Sequence, residues 1–239
     1  MTRKLLICGL LAGFIAGLVG FAFMTAAGEN AVDQAIAFEE AHTPPGADEP
    51  EVVSRDTQKG IGLLTATTVY GLAMGGIFAL VFAYMYGRIS RAGPARTALW
   101  LAAAAFVVVY LVPFVKYPPN PPAVGDPDTI GDRTALYLVM VWISVLAAVA
   151  ALRLRRNPLV AVAAYLVVVV VAGLALPGVH ELPKDFPATT LWTFREASVG
   201  AQLAIWTTIG LVFAATAQRV MTGRPMLAWP SRPTATAGE

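Results

Sequence analysis

Charge is what this sequence has least of. Asp, Glu, Lys and Arg make up 13% of its 239 residues, while 57% are hydrophobic; a soluble chain carries charge on about a quarter of its residues. The deficit excludes an ordinary soluble domain. Cysteine occurs once, as Cys8, so neither an intrachain disulfide nor a cysteine-built metal cluster is available. Histidine occurs twice, as His42 and His180. A formal net charge of +2 gives no basis for nucleic-acid binding. No HExxH, GxSxG or P-loop pattern occurs. That leaves no catalytic residue and no built-in cofactor to name, and it reads against an enzyme.

What is present is apolar sequence in long runs. Six of them are near the length that crosses a hydrocarbon layer: Leu5–Ala26, Ile61–Tyr86, Thr97–Pro113, Thr134–Ala151, Leu159–Leu176 and Val199–Ala217. Each is apolar on all sides and lacks strict alternation, so each predicts a helix rather than a strand. The expected fold is all-α, a polytopic transmembrane bundle of about six spans. It forms one domain over residues 1–219, followed by a flexible cytoplasmic tail over 220–239. The first run, opening MTRKLLICGLL and ending in small residues, also has the form of a signal peptide, whose cleavage would leave five spans. Its apolar core exceeds the ~7–15 residues usual for such peptides, which favours a retained span.

Lys and Arg orient the bundle. Arg3, Lys4, Arg88, Arg91, Arg96, Arg153, Arg155, Arg156, Arg219, Arg224 and Arg232 all fall on one side of a six-span chain. That side is predicted cytoplasmic, with both termini on it. Every acidic residue except Glu239 falls on the other side, where the excess over basic residues would concentrate cations. Ionisable side chains are missing from the middle of the runs, which excludes a buried carboxylate relay. Gly9, Gly13 and Gly17 in the first run and Gly71 and Gly75 in the second form GxxxG patterns. They permit close helix packing within the bundle, or a homo-oligomer contact through the first run.

Polar chemistry gathers in the three outer connections. The first carries Glu29 to His42, which could extend the first helix; Glu39 and His42, three apart, would then share a face. The third places His180 beside Glu181, with Asp185 close behind. Imidazole with carboxylate suits a borderline divalent cation such as Co²⁺, Ni²⁺ or Zn²⁺; solvated loop histidines next to acids are the plainer reading. The second connection is the ribbon KYPPNPPAVGDPDTIGDR, from Lys116 to Arg133. Its prolines impose extended backbone, Asp126 and Asp128 are candidate mouth residues, and Asp132 is placed to cap the helix expected from Thr134. Before the last run, Glu196, Ser198 and Gln202 are either a polar mouth or an interfacial Arg195–Glu196 pair with an interhelical hydrogen bond. The candidate metal-binding set is therefore His42, His180, Glu39, Asp126, Asp128, Glu181, Asp185 and Glu196.

Four stretches together carry a family resemblance: MTRKLLICGLLAGFIAGL, YGLAMGGIFALVFAYMYGR, KYPPNPPAVGDPDTIGDRTALYL and ELPKDFPATTLWTFREASVGAQ. With them the chain resembles the CbtA family of cobalt-transporter membrane subunits up to about Arg219. The resemblance implies a multi-pass protein of a bacterial inner membrane, associated with cobalamin biosynthesis, with Co²⁺ as the transported substrate rather than a cofactor. Family members are usually described with five spans, against the six runs here. The resemblance also implies a small single-span, histidine-rich partner resembling CbtB, alongside membrane lipid, which would supply the strong ligands this chain lacks. A non-conducting scaffold or assembly subunit of a metal-related complex is the alternative.

Overall fold

The structure is a computed structural model describing residues 1–43, 53–90, 92–122, 124–125, 129–179 and 182–223. Among these, helices dominate: α1 (Thr2–Ala27), α2 (Glu29–His42), α3 (Arg55–Met85), α4 (Pro94–Lys116), α5 (Ile130–Leu154), α6 (Pro158–Ala175) and α7 (Ala188–Met221). All but α2 are long and apolar enough to cross a membrane. The chain is thus an all-α, polytopic helical bundle with six apolar spans. The tail expected at 220–239 lies outside the described residues from Arg224 onward.

Two spans run past their apolar cores. α7 starts at Ala188 rather than Val199 and has 34 residues. At 1.5 Å per residue it is about 51 Å long, against a hydrocarbon layer of about 30 Å. Charged residues end an apolar run but not a helix, and here Arg195 and Glu196 sit inside one. α3 likewise begins at Arg55 rather than Ile61. α5 begins at Ile130, so Asp132 does not cap it. It lies in the first helical turn, where a carboxylate complements the helix dipole instead.

The core forms where α1 packs against α3 and α7, and α4 against α7. Gly9 and Gly13 of α1 meet Gly75 and Gly71 of α3 so closely that a Cβ on any of them would land on the facing backbone carbonyl. Small residues at this spacing let two backbones touch, which is how membrane helices gain packing without a hydrophobic driving force. These α1 glycines thus meet α3 of the same chain. Beside this seam, Phe82 and Phe213 are fully buried, with ring centroids 4.9 Å apart in an edge-on arrangement. Cys8 is buried in the same cluster.

α5 and α6 form a hairpin outside that core. The apolar window of α6 is 6% buried, against 44% for α1 and α7. The hairpin leans on the second half of α4, where the helix widens into a π-helical segment, Phe106–Leu111. Pro113 explains the next step. Val112 N–H bonds to the Val107 carbonyl, five residues back. In that register the Val108 carbonyl would bond residue 113, which as proline has no N–H. Ser144 of α5 supplies the missing donor, its hydroxyl 2.7 Å from Val108 O. Having spent its proton there, Ser144 Oγ accepts from the Tyr165 hydroxyl of α6 at 2.8 Å. One buried serine thereby ties α4, α5 and α6 together.

Candidate functional site

The three long connections converge at one end of the bundle. Ala35 of α2, Val124 of the ribbon and Phe186 before α7 bury one another there. α2 continues α1 after a break at Gly28 and lies along the start of α7, where Thr190 Oγ1 donates to Gln34 Oε1 at 2.7 Å. The ribbon is held from both sides. Lys116 Nζ donates to the Leu176 carbonyl at 2.8 Å, and the Tyr117 hydroxyl donates to the Pro177 carbonyl at 2.8 Å. Arg195 on the projecting turns of α7 donates to the Pro119 carbonyl at 3.3 Å and to Asn120 Oδ1 at 3.1 Å. A proline-rich strap lacks N–H donors but keeps its carbonyls, so cations are its natural anchors.

His42 and Asp185 come together in this end. His42 Nε2 is 3.0 Å from Asp185 Oδ2, with the two side chains 53% and 63% exposed. His42 Nδ1 lies 2.7 Å from the Phe38 carbonyl, and its ring stacks on Phe38. Both neighbours of the ring are acceptors, so the imidazolium form donates to each. The neutral form with Nδ1–H on the carbonyl leaves Nε2 open beside a carboxylate. That orientation is the usual one for a metal-binding histidine.

Of the other predicted site residues, Glu39 and Glu196 are exposed. Asp126, Asp128, His180 and Glu181 lie outside the described residues. Among the described residues, no three His, Cys, Asp or Glu side chains group as a metal site. Several outer acids already have cationic partners: Arg55 bridges Glu29 and Asp33, the latter at 3.0 Å. Asp56 pairs with Lys59 at 2.9 Å. Ser198 donates to the Phe194 carbonyl of its own helix, and Gln202 accepts from the Tyr70 hydroxyl of α3 at 3.2 Å.

Sequence reasoning missed a cavity of about 560 Å³ at this end, walled by α4, α5, α7 and the ribbon. α4 supplies Tyr110 and Lys116, α5 supplies Arg133 and Tyr137, and α7 supplies Arg195. The ribbon from Tyr117 to Asn120 forms its rim. Among the described residues no Asp or Glu lines it. Tyr110 is 8% exposed, and its hydroxyl is buried without a hydrogen-bond partner among the described residues. Burial pushes the Tyr117 hydroxyl's pKa up, keeping it a proton donor. One signal was available beforehand: Lys116, Arg133 and Arg195 each flank an apolar run in the acid-rich connections, against the general bias of the cations.

A family model described as "Probable cobalt transporter subunit (CbtA)" matches residues 2–218. No curated protein and no solved structure matches the chain.

Proposed function

Because the chain belongs to the CbtA family, we propose that it is the membrane subunit of an uptake system for cobalt or a related divalent metal. We place it in a bacterial inner membrane with both termini cytoplasmic. The observation that carries this reading is the family match along nearly the whole chain. The clustering of acids and of His42 with Asp185 at one end of the bundle is in keeping with it. Imidazole and carboxylate oxygen are the ligand types a borderline divalent ion accepts. This end would gather and partly dehydrate the ion, and a small histidine-rich, single-span partner resembling CbtB would complete its coordination. The membrane potential favours entry of a cation by about 2.3 kcal/mol per charge per 100 mV, and no P-loop is present to couple nucleotide hydrolysis.

One observation favours a second reading, a non-conducting scaffold. The space among α1, α3, α4 and α7 is filled by Cys8, Phe82, Ile209 and Phe213, all buried. Reconstitution into liposomes with and without the small partner, followed by Co²⁺ and Ni²⁺ flux, separates the two. The transport reading predicts flux once the partner is present. Absence of flux in both preparations would sink it.

A further inference from the structure

From the chemistry of the cavity at the ribbon end, we infer that it binds an oxyanion, a phosphate or carboxylate group carried on a partly apolar body. The inference stands on the cavity alone and does not require that the protein move a metal. Three cationic side chains converge on one space: Lys116, Arg133 and Arg195. Among the described residues, two of them have only neutral partners. Lys116 bonds the Leu176 carbonyl and lies over the Tyr117 ring, 5.5 Å from its centroid. Arg195 bonds the Pro119 carbonyl and the Asn120 side chain. A guanidinium has five N–H donors, so Arg195 keeps donors for a ligand after holding the strap.

Cations drawn together near a membrane repel one another, and each loses hydration as it is covered. A bound anion removes both costs, and charge-assisted hydrogen bonds from Arg and Lys are the strongest a protein offers to phosphate or carboxylate. A bare divalent cation gains the opposite of this from the same walls. The ion proposed to gather at His42 and Asp185 therefore does not belong in this cavity.

The second, independent observation is Tyr110. Its hydroxyl is buried on the cavity wall, without a partner among the described residues. A buried donor left unmade is costly, and such groups in a native protein call for a ligand or an ordered water. Tyr110 sits on the π-helical segment of α4, a distortion that recurs where a helix aims a side chain at a functional site. Around this polar half, Phe114, Val179 and Leu182 form an apolar wall. The cavity size lies in the range of small-molecule sites, roughly 300–1,000 Å³. An oxyanion on an apolar body fits both halves. Two sources offer this chemistry: the headgroup region of an anionic phospholipid, and a soluble organic anion.

The full chain, purified in a neutral detergent, tests this by binding and thermal-shift measurements with four probes. These are short-chain phosphatidylglycerol, phosphatidylcholine of the same chain length, citrate and inorganic phosphate. Preference for phosphatidylglycerol over phosphatidylcholine identifies a lipid source. Saturable binding of citrate or phosphate identifies a soluble one. In either case Arg195→Gln should weaken binding about tenfold or more, the scale of one hydrogen bond to a charged group. Tyr110→Phe should weaken it several-fold without lowering the melting temperature of the ligand-free protein. Should Arg195→Gln loosen the strap and unfold the chain, Tyr110→Phe and Lys116→Gln still decide the matter. The inference is overturned if no anionic probe binds. It is equally overturned if phosphatidylcholine binds as tightly as phosphatidylglycerol with no citrate or phosphate binding, or if the folded variants bind the anion like the parent chain.

Discussion

The α1–α3 seam and the α5–α6 hairpin are both pairs of antiparallel membrane helices, yet they are joined in opposite ways. The seam has glycine on both sides and backbone against backbone, with Phe82 and Phe213 closing it from the flank. The hairpin has almost no buried surface on α6 and is fastened by Ser144, which serves a carbonyl on α4 and a hydroxyl on α6 at once. A seam of touching backbones has no slack, because interiors packed at crystal density respond to added volume by separating or straining. The hairpin instead relies on those hydrogen bonds and a small cluster around Met140, Ala147 and Val169. Among the described residues, the cation-lined cavity borders neither the seam nor α6; α4, α5, α7 and the ribbon wall it.

Mutations should expose this difference, and the largest effect belongs to the aromatic flank of the core. Phe213→Ala should destabilise the chain by about 3–5 kcal/mol, the usual cost of emptying a buried aromatic site, measured by denaturant titration in mixed micelles. Val169→Ala, at the most buried point of α6, should lose far less. Next comes the seam itself: Gly75→Val should cost about 1–3 kcal/mol through overpacking against α1. A smaller loss is expected for Ser144→Ala, about 1 kcal/mol, typical of a side-chain hydrogen bond inside a membrane. Its signature should be local, with faster amide exchange in α5 and α6 and unchanged exchange in α1 and α3. The smallest effect is at Gly173 of α6, where a Cβ meets nothing within 4 Å. Gly173→Ala should leave stability level or raise it slightly, by less than about 1 kcal/mol. Equal losses at Gly75 and Gly173 would erase the distinction between seam and hairpin.

The spans were legible because twenty apolar residues in a row have one physical outcome. Their ends were not, because apolarity marks where lipid stops and hydrogen bonding decides where a helix stops. Arg195 and Glu196 closed the apolar run while α7 continued outward to Ala188. The glycine spacing showed that two backbones would touch, but not which ones; only the fold gives Gly13 to Gly71. His42 and Asp185 were visible as ligand types, yet their 3.0 Å approach joins the first connection to the third. The cavity was the least legible feature. Its cations come from three separate helices, and Tyr110 sits on a π-helical turn that apolarity does not mark.

The proposed role of the end that carries His42 and Asp185 is to load a metal for uptake. The most direct measurement is Co²⁺ accumulation in proteoliposomes containing the small partner, comparing the parent chain with His42→Ala/His180→Ala/Asp185→Asn. Uptake should fall by more than about tenfold, the loss of at least one ligand-scale interaction, at equal amounts of both subunits. Parent-level uptake by the triple variant would contradict it.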